Sequence, residues 1–306
     1  MADFWRLGLL GYPLSHSISP QLHGLFLQQA GLEGEYSCYA TPAESLAVQL
    51  ETLLAQGVQG LNVTVPHKVA ILPLLNALGE TATLLGAVNT ITTNAQGHTT
   101  GHNTDAEGFW ASLPARLQQQ VPNGSVLVLG GGGAARAVLA ALVRANAPSI
   151  TLALRNPDQK IALQSAVHRY NDYYQTTSEL HVIPWRADAP DRASLSCLKR
   201  FHLVVNTTPI GMYPQVDHSP LSEAALRTLP EDAAVVDLVY NPLETLLLHQ
   251  ARALSLVTVG GLGMLVHQGA AAFQHWTGHR PTPETCQWAM QQLYSLLVQT
   301  GLPKPG

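Results

Sequence analysis

Short apolar runs alternate with amphipathic stretches through the first third of the chain. Runs rich in apolar and β-branched residues predict strands, and apolar residues that recur every three or four positions predict helices. The predicted strands are Leu7–Gly11, Glu35–Ala40 and Gly60–Val65, and the predicted helices between them are Pro20–Ala30 and Ala43–Gln56. Two further runs, Ala87–Thr93 and His98–Gly101, flank the turn residues Ala95-Gln96-Gly97 and predict a β-hairpin.

A more regular alternation begins at Val126. Val126–Leu129 is wholly apolar, as expected of a strand that is buried on both faces of a parallel sheet. An Ala-rich helix is predicted from Ala134 to about Asn146. The later predicted strands are Ile150–Leu154, His181–Pro184, His202–Asn206, Ala234–Val239 and Leu256–Val259. This repeated strand–helix–strand order is typical of an α/β protein with a doubly wound parallel sheet.

The pattern changes to long helices after Gly263, at Met264–Trp276 and Pro283–Thr300. The polar stretch 166–195 predicts surface loops. We therefore expect two α/β domains, one formed by residues 1–105 with 263–306 and the other by residues 106–262. The C-terminal helices would then return to the first domain.

The composition narrows the classes of function. Of the 306 residues, 46% are hydrophobic and 12% are charged, which excludes a disordered chain. A formal charge of −4 offers no basic surplus for nucleic acid or an anionic membrane, so neither is expected as a partner. No apolar stretch reaches the roughly 20 residues that a membrane span needs.

Cysteine and histidine spacing argue against disulfides and metal sites. Cys38, Cys197 and Cys286 lie far apart, and an odd, sparse count is typical of reduced thiols in a cytoplasmic protein. The 13 histidines show no H-E-x-x-H or comparable spacing, so no metal site is expected. The N-terminal residues show no basic region or cleavage site of a secretory leader, and we expect a cytoplasmic location.

A glycine-rich loop follows the predicted strand at Val126–Leu129. It fits the pattern G-x-G-x-x-G/A with Gly130, Gly132 and Ala135. The first glycine permits a tight turn, the second lets a pyrophosphate approach the backbone, and the small third residue lets helix and strand pack closely. A strand before the loop and a helix after it predict a Rossmann-type dinucleotide-binding domain, in which the helix N-terminus binds the phosphates.

The end of the next strand bears on the choice of cofactor. An acidic residue there holds the ribose hydroxyls of NAD, whereas an arginine suits the additional phosphate of NADP. The sequence has Leu154-Arg155-Asn156, with Asp158 three residues beyond Arg155. Arg155 therefore favours NADP.

Four polar clusters interrupt the apolar N-terminal half. They are His16–Pro20, Asn62–Lys68, Ala87–Thr90 and Asn103–Asp105. Strand alternation puts Asn62 and Thr64 on one face, and Lys68 follows at the strand's carboxyl end, where α/β folds usually bind ligands. Such hydroxyl, amide, ammonium and carboxylate groups suit a small polyhydroxylated acid, whose carboxylate Ser17 and Ser19 can bind.

Each of these residues taken singly also has a structural explanation. Ser19 before Pro20 is a good helix N-cap, Asn89 suits a turn, and Lys68 suits the solvated face of a helix.

Together the segments resemble the shikimate dehydrogenase family (shikimate/quinate dehydrogenases) from nearly one end of the chain to the other. The matching motifs are H-S-x-S-P at His16–Pro20, N-V-T-V-P-x-K at Asn62–Lys68, G-A-V-N-T at Gly86–Thr90, N-T-D-x-x-G at Asn103–Gly108, the glycine-rich loop, N-T-T-P-x-G-M at Asn206–Met212, D-L-V-Y at Asp237–Tyr240 and G-G-L-G-M-L-V-x-Q at Gly260–Gln268. The resemblance implies an NADP-dependent, reversible reduction of 3-dehydroshikimate to shikimate, a step of chorismate and aromatic amino-acid biosynthesis.

The resemblance also implies a role for each matched residue. Lys68 and Asp105 would act at the reacting carbon, with Lys68 as the proton donor and acceptor, and the first domain would bind the substrate. The implied substrate-binding residues are Ser17, Ser19, Asn62, Thr64, Asn89, Tyr240 and Gln268. The implied cofactor-binding residues are Gly130, Gly132, Gly133, Ala134, Ala135, Arg155, Thr207, Met212 and Gly261. An ammonium fits the chemistry, because hydride transfer to a ketone leaves negative charge on its oxygen.

The sequence leaves two questions open, the cofactor and the preferred substrate. The family commonly has Asn-Arg-Thr where this chain has Leu154-Arg155-Asn156, which leaves NAD open as a second cofactor and a quinate/shikimate dehydrogenase as the alternative function. Quinate-preferring members often replace the second serine with threonine, so Ser19 favours shikimate. A non-catalytic sensor of shikimate or a dinucleotide should lack Lys68, Asp105 or the glycine-rich loop, and all are present. The sequence fits a monomer and a homodimer equally.

Overall fold

The computed structural model describes residues 4–15, 17–185 and 198–299. Within these ranges the chain forms two compact units, each built on a six-stranded sheet. The first unit comprises Met1–Gly108 and Val266–Ser295, and the second comprises Phe109–Leu265 with Leu296–Gly306. Two parallel-rich α/β sheets, one of them doubly wound, confirm the predicted fold class.

Strands and helices alternate along most of the chain. The strands are β1 Trp5–Gly11, β2 Gly34–Ala40, β3 Gly60–Val63, β4 Ala77–Leu78, β5 Thr90–Thr93, β6 Thr99–His102, β7 Ser125–Leu129, β8 Ser149–Leu154, β9 Glu179–Pro184, β10 Phe201–Asn206, β11 Ala234–Asp237 and β12 Val257–Val259. The helices are α1 Ser19–Ala30, α2 Leu46–Ala55, α3 His67–Ala70, α4 Glu80–Leu85, α5 Asp105–Ser112, α6 Ala115–Gln120, α7 Gly133–Arg144, α8 Lys160–Tyr174, α9 Glu223–Leu226, α10 Leu246–Ala253, α11 Leu262–Thr277 and α12 Pro283–Gln299.

The first sheet combines parallel and antiparallel pairs in the order β2-β1-β3-β5-β6-β4. Strand β1 pairs in parallel with β2 and β3, and β5 then runs antiparallel to β3 and to β6. The β5–β6 pair is the hairpin predicted from the sequence. The strand predicted to reach Val65 ends at Val63, because the carbonyl of Thr64 accepts a hydrogen bond from His67 N and turns the chain into α3.

Apolar side chains cover both faces of the first sheet. Leu50 and Leu53 of α2 belong to a buried cluster that also contains sheet residues such as Val63 and Ile91. On the other face, Trp276 of α11 is buried and its indole Nε1 donates to the Ile91 carbonyl at 2.9 Å. This polar anchor within an apolar contact fixes how α11 lies on the sheet.

The second sheet is wholly parallel, in the order β12-β11-β10-β7-β8-β9. Its central strands are buried along almost their whole length, because helices cover both faces of such a sheet. The prediction of loops over 166–195 was wrong for its first part. Leu163, Ala166, Val167 and Tyr170 recur at helical spacing and are buried on one side of α8, and β9 follows. Residues 186–195 lie outside the described residues.

Two negative findings apply to the described part of the chain. None of its helices combines the length and the apolar character that crossing a membrane requires. No group of three or more His, Cys, Asp or Glu side chains there could hold a metal ion.

Candidate active site

The polar clusters of the N-terminal half meet at one edge of the first sheet. Strand β3 ends beside Asn62 and leads into α3, which carries Lys68. Because β5 runs antiparallel to β3, its first residue, Thr90, pairs with Asn62. Strand β6 ends at the same edge, since His102 pairs with Thr90. The register therefore gathers segments that are distant in sequence around Lys68.

Lys68 and Asp105 form a close ion pair. Lys68 Nζ lies 2.5 Å from Asp105 Oδ2, and the two side chains are 20% and 6% exposed. Asp105 is the first residue of α5, and its backbone N–H donates to Asn103 Oδ1 at 3.0 Å. The carbonyl of Lys68 accepts from Val88 N at 2.8 Å. Both partners are thus fixed through their backbones, while the ammonium keeps a partly exposed position.

Asn89 holds the carboxylate from the opposite side. Its Nδ2 donates to Asp105 Oδ1 at 2.8 Å and to Thr104 Oγ1 at 2.9 Å, and lies 3.3 Å from Gln268 Oε1. Its Oδ1 accepts from Thr104 N at 2.9 Å. A buried amide with both ends engaged has one orientation, so Asn89 links β5, α5 and α11.

Ser17 and Ser19 lie together at the start of α1. Ser17 Oγ donates to Ser19 Oγ at 3.2 Å and accepts from Ser19 N at 3.3 Å. Among the described residues, no side chain caps the start of α1, so Ser19 does not act as the N-cap that its position suggests. The helix N-terminus and two hydroxyls together suit an anionic group. His16, between them and the first strand, lies outside the described residues.

Thr64 and Asn62 occupy the same edge but differ in their surroundings. Thr64 is half-buried directly after β3, and its backbone N–H donates to the Leu10 carbonyl. Asn62 is 6% exposed, and its amide is engaged inside the sheet. Its Nδ2 donates to the Asn89 carbonyl at 3.1 Å, and its Oδ1 accepts from Tyr36 Oη at 2.8 Å.

The glycine-rich loop in the second unit has the geometry that a pyrophosphate needs. Gly130 has φ of +102°, and a Cβ at this position would lie 2.8 Å from Thr208 Cγ2, so only glycine fits. At Gly132 a Cβ would meet no atom within 4 Å, which leaves room for a ligand against the backbone. Ala135 is fully buried where α7 packs on the sheet.

Helix α7 begins directly after this loop, at Gly133 and Ala134. No side-chain hydrogen bond caps it, and no acidic residue lies in its first turn, within the residues that the structure describes. Its first N–H groups and its positive dipole end therefore suit phosphate oxygens. Arg155 is exposed directly after β8, on the neighbouring strand of the same sheet. These residues fit an NADP molecule.

The other residues expected to bind the cofactor also belong to the second unit. Thr207 donates to the Leu129 carbonyl through both its backbone N–H and its hydroxyl, and Met212 is 47% exposed. At Gly261 a Cβ would lie 2.2 Å from the Leu238 carbonyl oxygen, so a side chain is excluded there. Tyr240 follows β11 in this unit, and its contact with a substrate carboxylate stays a prediction.

Comparison with known proteins places the chain in a family. Residues 9–91 match the shikimate dehydrogenase substrate binding domain, and residues 261–285 match the shikimate 5'-dehydrogenase C-terminal domain. A shikimate dehydrogenase (NADP(+)) of Bacillus licheniformis is 38% identical over 292 residues, which are 95% of this chain and 96% of the relative. The chain belongs to the shikimate dehydrogenase family. The resemblance seen in the sequence is thereby confirmed.

Solved structures similar to this family member include both kinds of enzyme considered above. Shikimate 5-dehydrogenase from Thermus thermophilus, in complex with NADP(H) and shikimate, is 35% identical with a TM-score of 0.78, covering 94% of this chain and 99% of its own. Quinate dehydrogenase from Corynebacterium glutamicum, in complex with NAD, is 32% identical with a TM-score of 0.80, covering 96% and 100%.

A buried carboxylate in the D-L-V-Y motif of this shikimate dehydrogenase family member was given no role from the sequence. Asp237 is fully buried at the end of β11 and accepts hydrogen bonds from Asn206 Nδ2, Val239 N and Thr245 Oγ1 at 2.9, 3.0 and 2.7 Å. It thus connects the loops after β10 and β11 with the start of α10. Burial raises the pKa of Asp237 to about 6, although the three hydrogen bonds oppose the rise.

The raised pKa of Asp237 predicts a specific pH dependence of stability. The folded form holds the proton more tightly than the unfolded chain, whose carboxyl has a pKa near 3.8. The contribution of protonated Asp237 to the free energy of unfolding is fully present below about pH 4 and is lost as the pH rises to about 6. The loss amounts to about 3 kcal/mol at most. We expect Asp237→Asn to lack this decline, so its free energy of unfolding should rise relative to the parent protein between pH 4 and 6.5. Denaturant titrations at several pH values check this, and a constant difference contradicts it.

Three residues that shape the site were missed in the sequence. Thr104 stands in the recognised N-T-D motif, but nothing in the motif shows that it binds Asn89. Asn103 precedes a helix by two residues, and that cap pattern could have identified it as the residue that holds Asp105 N. Tyr36 is one of two tyrosines in the edge strand β2, and the sequence carries no signal of its contact with Asn62.

Proposed function

We propose that this protein catalyses the NADP-dependent, reversible reduction of 3-dehydroshikimate to shikimate. The observation that carries the proposal is the Lys68–Asp105 pair at 2.5 Å, buried on the carboxylate side and held by Asn89. Family membership supports it, because the Bacillus licheniformis relative is a shikimate dehydrogenase (NADP(+)). The intact pair and glycine-rich loop argue against a non-catalytic sensor.

The reduction needs a hydride and a proton. NADPH, when bound, would supply the hydride that the C3 carbonyl carbon of the substrate accepts. The carbonyl oxygen then gains negative charge, which the Lys68 ammonium stabilises and neutralises by donating a proton to it. In the reverse direction, neutral Lys68 accepts the proton of the C3 hydroxyl. Exposure of 20% lets Lys68 exchange its proton with water between turnovers.

Asp105 and Asn89 orient the lysine. Asp105 Oδ2 accepts from Lys68 Nζ, and the Asn89 amide holds the other carboxylate oxygen. A carboxylate fixed in this way limits the rotation of the ammonium, so less ordering is needed during the reaction. The ring hydroxyls of the substrate would bind beside this pair, at Thr64, Asn89, Asp105 and Gln268, and its carboxylate at Ser17 and Ser19.

The cofactor would bind along the carboxyl edge of the second sheet. Gly130, Gly132 and the start of α7 would bind the pyrophosphate, and Met212, Thr207 and Gly261 would lie along the nicotinamide end. Arg155 would bind the 2'-phosphate of NADP, the group that distinguishes it from NAD.

This role of Arg155 gives a prediction. Arg155→Leu removes one charge-assisted contact with the 2'-phosphate, so we expect KM for NADP⁺ to rise about ten- to thirty-fold while KM for NAD⁺ changes less than two-fold. Initial rates with each cofactor at saturating shikimate check this. Arg144→Leu, at the far end of α7, is the matched control and should alter neither KM. Equal effects on both cofactors would contradict the assignment.

The proposed function is tested by four initial-rate assays of the purified protein, combining shikimate or quinate with NADP⁺ or NAD⁺. Fast turnover only with shikimate and NADP⁺ supports the proposal. Comparable rates with quinate or NAD⁺ would instead identify the protein as a quinate/shikimate dehydrogenase. The Leu154-Arg155-Asn156 sequence is the observation that motivates this alternative. Absence of turnover in all four assays would refute the enzymatic function.

A further inference from the structure

A continuous series of side-chain hydrogen bonds runs from strand β2 to the ion pair. Tyr36 Oη donates to Asn62 Oδ1 at 2.8 Å, and Asn62 Nδ2 donates to Thr90 Oγ1 at 3.3 Å. Thr90 Oγ1 donates to Asn89 Oδ1 at 2.9 Å, and Asn89 Nδ2 donates to Asp105 Oδ1 at 2.8 Å. Asn62, Thr90, Asn89 and Asp105 are all buried.

The direction of this series is fixed at its Asp105 end. An ionised carboxylate only accepts hydrogen bonds, so the Asn89 atom that faces it must be Nδ2. The backbone N–H of Thr104 only donates, so the Asn89 atom that faces it must be Oδ1. Two independent neighbours therefore set the same amide orientation, and the Thr90 hydroxyl must donate to Asn89 Oδ1.

The same reasoning continues to Tyr36. Since the Thr90 hydroxyl uses its proton on Asn89, its oxygen accepts from Asn62. The Asn62 side-chain atom that faces Thr90 also faces the backbone carbonyl of Asn89. Because a carbonyl only accepts hydrogen bonds, this Asn62 atom must be the donor Nδ2. Asn62 Oδ1 consequently faces Tyr36, whose hydroxyl must donate. Every donor in the series points towards Asp105.

We propose that Tyr36 is a positioning residue for the reaction, acting on the Asp105 carboxylate through Asn62, Thr90 and Asn89. Donors aligned in one direction polarise one another, so each bond strengthens the next. Removing the Tyr36 hydroxyl weakens the last bond, from Asn89 to Asp105. The inference rests on the proposed function of the Lys68–Asp105 pair. The proposal also gives Asn62 a role within the series, in place of binding a ring hydroxyl of the substrate.

The surroundings of Tyr36 suit this task. Its ring stacks on the imidazole of His23, with centroids 4.4 Å apart and planes 8° from parallel. His23 is fully buried, and burial lowers its pKa to about 3, so it is neutral at the pH values where the enzyme would act. Trp276 packs beside both rings. The phenol is thus clamped by uncharged aromatic rings, and its hydroxyl is directed by packing.

The first test is Tyr36→Phe, which keeps the ring and removes the hydroxyl. We expect kcat for shikimate oxidation to fall about three-fold, with a smaller change in KM. Tyr39→Phe in the same strand is the matched control, since Tyr39 packs in the α2 cluster and should change neither quantity.

A double-mutant cycle separates transmission along the series from a local packing effect. Thr90→Val interrupts the series between Asn62 and Asn89, so adding Tyr36→Phe to it should have no further effect on kcat. Additive effects of the two substitutions on kcat would overturn the proposal, as would a Tyr36→Phe variant with the kcat of the parent protein.

A measurement without substrate keeps this inference distinct from the proposed function. In ¹³C-aspartate-labelled protein, the Asp105 carboxyl resonance, assigned by its loss in Asp105→Asn, should shift in Tyr36→Phe but not in Tyr39→Phe. A resonance unmoved by Tyr36→Phe would overturn the inference, whatever the enzyme assays show. Failure of the unmodified protein to turn over shikimate would instead refute the proposed function.

Discussion

Replacing Lys68 with alanine is expected to lower kcat for shikimate oxidation by NADP⁺ by about a thousand-fold. The substitution removes the group that donates or accepts the proton at the reacting oxygen, and it removes the positive charge that stabilises that oxygen. Both effects act in the transition state, so kcat should fall far more than the affinity for shikimate. Steady-state kinetics give kcat, and calorimetric titration with shikimate gives the affinity.

Two control measurements distinguish a loss of catalysis from a loss of folding. Val69→Ala changes the neighbouring residue of α3, which is 54% exposed, and should retain full activity. Thermal unfolding of Lys68→Ala matters because Asp105 would remain buried without its cation, at a cost in stability. A folded Lys68→Ala protein with a kcat within ten-fold of the parent would exclude Lys68 as the proton donor.

Asp105→Asn is expected to have the second largest effect, lowering kcat about a hundred-fold. The carboxylate offers one oxygen to Lys68 Nζ and the other to Asn89 Nδ2. An asparagine has a single acceptor oxygen, so its NH₂ group must face one of two donors. The buried contact is lost on that side, and the ammonium loses its counter-charge. Rates at saturating substrate and NADP⁺ measure the loss.

The control for this prediction is Glu107→Gln in the same helix. Glu107 pairs with Arg280 at the surface, where its side chain is 44% exposed, and exposed pairs contribute little to stability. Its kcat should stay within two-fold of the parent. If Asp105→Asn and Glu107→Gln behaved alike, Asp105 would have no special function in catalysis.

The sequence predicted best where one local pattern decides the structure. The apolar run at Val126–Leu129, the glycine-rich loop and the Ala-rich helix α7 were all expected within a residue or two, because burial and glycine geometry leave few alternatives. Lys68 and Asp105 were selected through the family resemblance. Their mutual contact depends on the antiparallel pairing of β5 with β3 and with β6. The predicted hairpin included the β5–β6 pair but not the β3–β5 pair.

What the sequence could not predict depends on contacts between distant segments. The helical periodicity of α8 was overlooked because its exposed face is strongly polar and its buried face is narrow, at Leu163, Ala166, Val167 and Tyr170. Tyr36 and Asn62 are 26 positions apart, and only the parallel pairing of β2, β1 and β3 brings them together. No spacing rule links them, so the hydrogen-bond series to Asp105 required the folded structure.

The divided chain of the first unit has a consequence for synthesis on the ribosome. Strands β1 to β6 are complete by His102, yet Trp276 and Phe273, which pack against Ile91 and the ring of His23, are made about 170 residues later. At an elongation rate of about 5–20 residues per second, the nascent sheet waits on the order of ten seconds or more for its apolar cover. The contiguous segment Phe109–Leu265, which holds the whole second sheet, emerges before then. The second sheet can therefore fold first, while the first sheet depends on the last helices to leave the ribosome.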